Sequence, residues 1–325
     1  MHDFTILVLP GAYASSVSVT LDILEAAARL APRTRAPRPT WRVVSPAGGD
    51  ASLSSGLRLA TERAPLRARA DASTWILPGL GTDNPQVIAE RLARADAQRA
   101  IAAVRGHAAR GGAVAASCSA VFLLQAAGLL AGRRATTSWW LAPELCRLAP
   151  DCVVDAGRMV CADGAITTGG AALAQSDLML HLLRARCGNA LVESVSRTLL
   201  IDGRQAQAPF VVPEMLASGD DLVARLAARI DTALPHAPGV RELASAFCMS
   251  ERTLSRHVRR ATGKSTLALV QSVRMRRARA LLEGSRMTVD QVAEAVGYQD
   301  STALRRLMKK IAGANPSRYR PAVAT

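Results

Sequence analysis

VRELASAFCMSERTLSRHVRRATG (residues 240–263) and VDQVAEAVGYQDSTALRRLMKKIAG (residues 289–313) are two copies of one pattern. Leu254, Arg256, Val258 and Gly263 stand 50 positions before Leu304, Arg306, Met308 and Gly313. Upstream, Ala244 and Ala246 precede Ala293 and Ala295 by 49. The one-residue slip falls between Met249-Ser250 and Tyr298-Gln299-Asp300, where a turn joins two helices. Each copy has the parts of a helix-turn-helix. Ala244 and Ala293 are small where the two helices must close up. Ser250 and Asp300 sit at the N-cap of the second helix, where a side-chain oxygen takes an otherwise orphaned N–H. Leu254 and Val258, like Leu304 and Met308, recur at i, i+4 and face a core. Cys248 fills the turn position that Gly297 holds in the second copy; a left-handed turn favours glycine, so Cys248 costs some stability. Leu267–Leu282 between the copies is an unbroken helical pattern, long enough for a rigid spacer.

Charge is concentrated in the same region. Residues 236–325 carry 17 Lys and Arg against 6 Asp and Glu, a net +11, leaving 24 against 20 for residues 1–235. The basic residues lie in a patterned helical segment and not in a low-complexity tail, which favours a polyanionic partner. A chain of 325 residues, 49% hydrophobic, accommodates two domains with real cores. The six cysteines show no CxxC spacing, which speaks against a zinc site or a redox pair. Met1-His2-Asp3 runs straight into the first strand-like stretch, so no signal peptide is expected, and no apolar stretch reaches the length of a membrane span. A reducing cytoplasm and no membrane partner are expected.

The first two-thirds alternates strands and helices. Phe4–Leu9 is a continuous apolar run ended by Pro10-Gly11, the pattern of a strand buried on both faces. Helical spacing follows over Val19–Leu30, then a Pro/Arg-rich loop from Pro32 to Pro39. Strands are expected at Trp41–Val44, Thr74–Leu77, Ala113–Ala116, Val153–Val154, Met159–Cys161 and Ala165–Thr167. Helices are expected over 85–110, 119–127, Trp139–Leu148, Ala172–Cys187 and Leu191–Leu200. The alternation predicts an α/β domain, a parallel sheet with helices on both faces. An all-α domain follows. The boundaries are 1–204 for the first domain, 205–219 for a linker and 220–325 for the second domain, whose first helix spans 220–234.

Cys118 lies between Ser117 and Ser119 at a sharp strand-to-helix turn. A side chain there stands at the C-terminal edge of the sheet and at a helix N-terminus, which lowers a thiol's pKa. A nucleophile elbow and a small buried cysteine in a tight turn both fit that placement.

Residues 4–200 resemble the PfpI-like branch of the class I glutamine amidotransferase-like superfamily. The matching stretches are the first strand with Pro10-Gly11, Trp75–Gly79, the elbow Ala116–Phe122, Ala127–Thr137 and Ile166–Gly170. The resemblance implies a flavodoxin-like fold. Catalytic members add an acidic residue shortly after the first strand and often a histidine after the elbow helix. Here the aligned residues are Ser16 and, in Thr137-Ser138-Trp139, Ser138. Without a base or an acid to hold the thiolate, nucleophilic catalysis loses its activation. Catalysis is therefore not expected. What remains is a pocket at the strand C-termini, where such sheets place ligands. Its candidate residues are Ser16, Gly79, Gly81, Cys118, Ser119, Ser138 and Trp139. Trp139 and Trp140 offer an aromatic wall for a cationic group or, equally, plain core packing.

The last 90 residues or so resemble the AraC/XylS family of transcription regulators. The signature is Val292–Tyr298, Asp300, Leu304, Arg306 and Gly313–Arg320; Leu304, Met308 and Thr266 are mild departures. In that family two recognition helices enter successive major grooves, roughly one turn (~34 Å) apart. Helix phase then exposes Arg252, Ser255 and Arg256 in the first helix, and Ser301, Thr302, Arg305 and Arg306 in the second. Arg256 and Arg306 also fit a partly structural role. Arg259, Arg260, Lys309 and Lys310 suit phosphate contacts or plain solvation. The combined order resembles the GlxA-like regulators, which implies double-stranded promoter DNA as partner, homodimerisation, no cofactor, and RNA polymerase as a partner if the protein activates. It also implies a small effector such as an amino acid or a quaternary amine. The competing expectation is a bifunctional cysteine hydrolase or amidase with a DNA-binding tail.

Overall fold

The computed structural model describes residues 2–65, 71–201, 204, 207, 221–262, 265–312 and 315–319. The chain divides into two compact units, residues 1–205 and 206–325. The expected linker, apart from Gln207, lies outside the described residues, as do Gly263, Gly313, Ala314 and Arg320 of the repeat signatures.

In chain order the first unit has β1 (Phe4–Leu7), α1 (Ala14–Thr34), β2 (Trp41–Ser45), β3 (Gly49–Ser52), β4 (Arg58–Arg63) and β5 (Thr74–Leu77). Then come α2 (Pro85–Ala93), α3 (Ala95–Ala109), β6 (Val114–Ser117), a 3-10 turn (Cys118–Ala120), α4 (Val121–Ala126), β7 (Arg134–Ala135) and α5 (Ala142–Leu148). It closes with β8 (Val153–Val154), β9 (Val160–Asp163), β10 (Ile166–Gly169), α6 (Gln175–Cys187) and α7 (Asn189–Leu199). Among the described residues the main sheet has the order β3-β4-β2-β1-β5-β6-β10-β9. It is parallel from β4 through β10 and antiparallel at the two outer pairs, β3 with β4 and β9 with β10. The short strands β7 and β8 pair separately.

β1 shows why its sequence reads as one apolar run. Phe4 and Ile6 feed the core under α1, α6 and α7, while Leu7 feeds the opposite core with α2, α3 and α4. A strand alternates its side chains between faces, so burial on both sides makes the run almost wholly apolar; the one polar residue, Thr5, is buried with its hydroxyl bonded to that of Ser73 at 2.7 Å. The flavodoxin-like sheet expected from the sequence is the fold observed.

Several expectations shift. α1 is longer than Val19–Leu30 at both ends and runs through Pro32, which sits in its last turn. The expected helix over 85–110 breaks at Arg94, which ends α2 and starts α3 in an extended conformation. The helix expected from Trp139 starts at Ala142. Strands β3 and β4 had no apolar signal, because their side chains are mostly exposed.

The second unit contains α8 (Asp221–Thr232), α9 (Val240–Ala246), α10 (Glu251–Thr262), α11 (Thr266–Gly284), α12 (Val289–Ala295), α13 (Ser301–Ala312) and a 3-10 turn (Pro316–Tyr319). It has two small cores joined by one helix. The N-terminal half of α11, with Leu269, Val270 and Val273, packs with α8, α9 and α10. Its C-terminal half, with Met275, Ala278 and Leu282, packs with α12 and α13. The spacer therefore belongs to both cores and ties the two copies of the repeat together.

Candidate functional site

At the elbow, Cys118 has φ 54°, the left-handed conformation a side chain seldom adopts. Neighbouring groups over-determine it. The Cys118 N–H donates to the Gly170 carbonyl at 2.6 Å, and Thr137 Oγ1 donates to the Cys118 carbonyl at 2.8 Å. Ser138 Oγ donates to Cys118 Sγ at 3.2 Å. Ser119 Oγ accepts the Leu80 N–H at 3.0 Å, holding the turn after β5 against the elbow. Position 79 is tightly enclosed: a Cβ there would lie 3.0 Å from Tyr13 Cδ2 and 3.2 Å from Cys118 Cβ, so these side chains would have to give by a few tenths of an ångström.

The thiol is closed off. Cys118 is 1% exposed, and burial pushes its pKa up despite the hydrogen bonds from Ser138 and Ser119. Tyr13 lies beside it, and burial, with the charges of Cys118 and Asp83, pushes its hydroxyl up to about 12. The thiol is thus neutral at ordinary pH. None of the three described histidines of this unit, His2, His107 and His181, makes a hydrogen bond to it, and His2 lies exposed ahead of β1. His107 stacks on Trp75 at 4.7 Å and bonds the Ala113 carbonyl, and His181 lies on α6.

The structure brings Gly79, Cys118, Ser119 and Ser138 together. Ser16, where catalytic relatives carry an acid, is fully buried and donates to the Ala172 carbonyl at 3.0 Å. Its own carbonyl accepts from Thr20 Oγ1 at 2.7 Å, and Gln175 Nε2 donates to that hydroxyl at 2.8 Å. This chain of bonds fastens α1 to the start of α6. Gly81 has φ 77°, and a Cβ there would overlap the Gly11 carbonyl oxygen, so its requirement is a close backbone approach. Trp139 is 5% exposed and meets Trp140 edge to face at 5.1 Å, the packing alternative for this pair. Tyr13 and Asp83 are site neighbours the sequence did not flag. They sit on loops far from residue 118, with no spacing to mark them.

In the second unit, Ser250 Oγ accepts the Thr253 N–H at 3.1 Å and Asp300 Oδ1 accepts the Ala303 N–H at 2.9 Å. Both are N-caps as expected. The Ala303 N–H holds the Asp300 carboxyl below its ordinary pKa. Cys248 and Gly297 both take the left-handed turn, with φ 54° and 83°. Leu254, Val258, Leu304 and Met308 are buried. On the outer face of α10, Arg252, Arg256, Arg259 and Arg260 are exposed and Ser255 is half-buried. On α13, Thr302, Arg305, Arg306 and Lys309 are exposed and Ser301 is half-buried. Arg252, Arg256 and Arg305 make no ion pair among the described residues. Both helices therefore present uncompensated positive charge to solvent.

Elbow and paired helices together define a class: an α/β sheet with a sequestered elbow cysteine, joined to a double helix-turn-helix unit. The model of the DJ-1/PfpI family matches residues 5–185, and that of a helix-turn-helix domain matches residues 243–322. The chain belongs to the DJ-1/PfpI family and carries an AraC-type helix-turn-helix domain behind it. It is similar to the HTH-type transcriptional regulator GlxA of Rhizobium meliloti (strain 1021), 27% identical over 288 residues and covering 85% of each chain. It is also similar to the HTH-type transcriptional regulator GbdR of Pseudomonas aeruginosa, 22% identical, covering 85% of this chain and 73% of that one. A crystal structure of an AraC family transcriptional regulator from Pseudomonas putida matches with TM-score 0.52 and 20% identity, over 61% of this chain and all of that one. That likeness shows the fold of the first unit. No helix among the described residues is long and apolar enough to cross a membrane.

Proposed function

We propose that the protein is a ligand-responsive, sequence-specific DNA-binding transcription regulator, most consistent with an activator acting on RNA polymerase at a promoter. The observation that carries this reading is the pair of arginine-bearing helices, α10 and α13, built on two cores that share α11. A rigid pair of recognition helices fits two successive major grooves of one duplex. Similarity to HTH-type regulators over 85% of the chain supports it. Arg252, Ser255 and Arg256 of α10, with Ser301, Thr302, Arg305 and Arg306 of α13, are the proposed base-edge and groove contacts. Arginine reads guanine bidentately, while serine and threonine are more permissive.

The first unit is the proposed sensor and dimerisation domain, in residues 1–204, connected through residues 205–219 to residues 220–325. By resemblance to the GlxA-like regulators the effector is an amino acid or a quaternary amine. The proposed contacts are Ser16, Gly79, Gly81, Cys118, Ser119, Ser138 and Trp139. Tyr13 packs against the elbow, so an effector that reaches Cys118 displaces that ring. The hydrolase reading is disfavoured by the neutral, buried thiol, which lacks the thiolate a cysteine nucleophile needs. The test is sequence-specific, salt-sensitive binding of the full chain to the DNA upstream of its own coding region, which the Arg252→Ala/Arg305→Ala double variant should lose.

A further inference from the structure

Beside the edge strand β9, helices α6 and α7 border an open cleft of about 800 Å³. That volume is of the size that holds small molecules. Leu180 and Val192, both buried, form an apolar floor. Four arginines, Arg158, Arg184, Arg197 and Arg204, line the walls.

The charges do not balance within the cleft. Arg204 is committed: its Nη2 and Nε donate to Asp177 Oδ2 at 2.7 and 3.1 Å, and its backbone N–H donates to Oδ1 at 2.7 Å. Arg158 faces Asp155 at 3.5 Å. Arg184 and Arg197 are exposed and make no ion pair among the described residues. The remaining acid, Glu193, lies one turn before Arg197, is exposed, and likewise makes no ion pair there. His181, one turn before Arg184, is half-buried; burial and that guanidinium push its pKa down, so its ring is neutral at pH 7 and can donate one N–H. Four arginines against Asp177 and Glu193 leave the lining net positive, and a concave wall with an excess of one sign raises the local concentration of counter-ions.

We propose that this cleft binds a phosphate-bearing small molecule. Arg184 and Arg197 grip the phosphate, and the Leu180–Val192 floor takes the apolar remainder. Guanidinium forks match phosphate oxygens bidentately, which a pair of free arginines on facing helices provides without rearranging the core. The site is separate from the elbow and from the DNA-reading helices, and it stands whether or not the elbow binds an effector.

Isothermal titration of the full chain with inorganic pyrophosphate tests it. The second unit is basic and attracts anions itself, so the decisive comparison is between variants. Arg184→Ala combined with Arg197→Ala should weaken a one-per-chain site at least tenfold, with the far-UV spectrum and the ligand-free melting temperature unchanged. The exposed control pair Arg94→Ala with Arg99→Ala should leave it intact. Arg197→Glu alone supplies the same comparison should the double variant fold poorly. The proposal is overturned if pyrophosphate does not bind, or if both pairs leave binding unchanged, which places the anion on the second unit. It is equally overturned if light scattering shows the double variant falling from dimer to monomer with no change in anion affinity. The cleft would then be a contact between copies.

Discussion

Cys118 combines three local constraints: a left-handed backbone, a buried thiol and a hydrogen bond accepted by its sulfur from Ser138. Its raised pKa has a stability consequence of definite sign. In the unfolded chain the thiol loses its proton near ~8.5 and the Tyr13 hydroxyl near ~10. In the fold both hold their protons to higher pH. Their contribution is therefore whole below those values and is lost as pH rises toward the folded pKa, about 12 for Tyr13. We expect the melting temperature to fall progressively above pH ~8.5, with Cys118→Ala removing the first part of the fall and Tyr13→Phe the later part. At neutral pH, iodoacetamide should modify exposed Cys146 and Cys248 before Cys118. Fastest modification at Cys118 would restore the hydrolase reading.

The two turn residues of the repeat make a second pair of residue-scale outcomes. A Cβ at Gly297 would overlap the Pro235 carbonyl oxygen, on top of φ 83°. Gly297→Ala should cost roughly 2–4 kcal/mol, since backbone must move and the left-handed conformation penalises any L side chain. Cys248 already carries a Cβ in an exposed turn, so Cys248→Gly should change stability by no more than about 1 kcal/mol. Thermal melts of the two variants distinguish the sites, and equal effects would mean that the turns are not differently crowded.

At the scale of elements, α10 and α13 differ in what they offer DNA. α10 exposes four arginines along one face, while α13 mixes arginines with Thr302 and Lys309. Arg252→Ala and Arg256→Ala should each weaken specific binding by about 1–3 kcal/mol and relax base preference at one position. Lys309→Ala should weaken binding evenly across sequences and lower the salt slope by about one unit. Fluorescence anisotropy against a specific and a scrambled duplex reads both. Equal loss on the two duplexes for Arg252→Ala would reassign that arginine to phosphate. Much of this region was legible because helix phase, N-caps and turn glycines are local, with each signal completed inside a few residues. Ser250, Asp300, Cys248 and Gly297 all appear where spacing placed them. The β3–β4 hairpin was not legible, since exposed strands leave no apolar alternation. Nor was the end of α1, where Pro32 reads as a breaker yet the last turn tolerates it.

For the whole molecule, the sheet order and the two small cores follow from patterns along the chain, while closure of the elbow does not. Tyr13, Gly79, Cys118 and Ser138 meet from four separate segments, and only the fold brings them to one place. The arginine cleft is hidden for the same reason: Arg184 and Arg197 read as the ordinary polar faces of amphipathic helices. What joins the levels is a sheet whose elbow is a buried, hydrogen-bonded turn and a helical unit in which Arg252, Arg256 and Arg305 of α10 and α13 make no ion pair among the described residues. That combination is consistent with the HTH-type transcriptional regulators to which the chain is similar.

The most direct measurement is anisotropy of the full chain on the DNA upstream of its own coding region, titrated at several salt concentrations, beside the Arg252→Ala/Arg305→Ala double variant. We expect sequence-specific binding that falls steeply with salt, with a log–log slope of about −0.9 per phosphate neutralised, and loss of the specific part in the variant. Salt-insensitive binding, or equal affinity of wild type and variant for specific and scrambled duplexes, would contradict the assignment of α10 and α13 as the helices that read DNA.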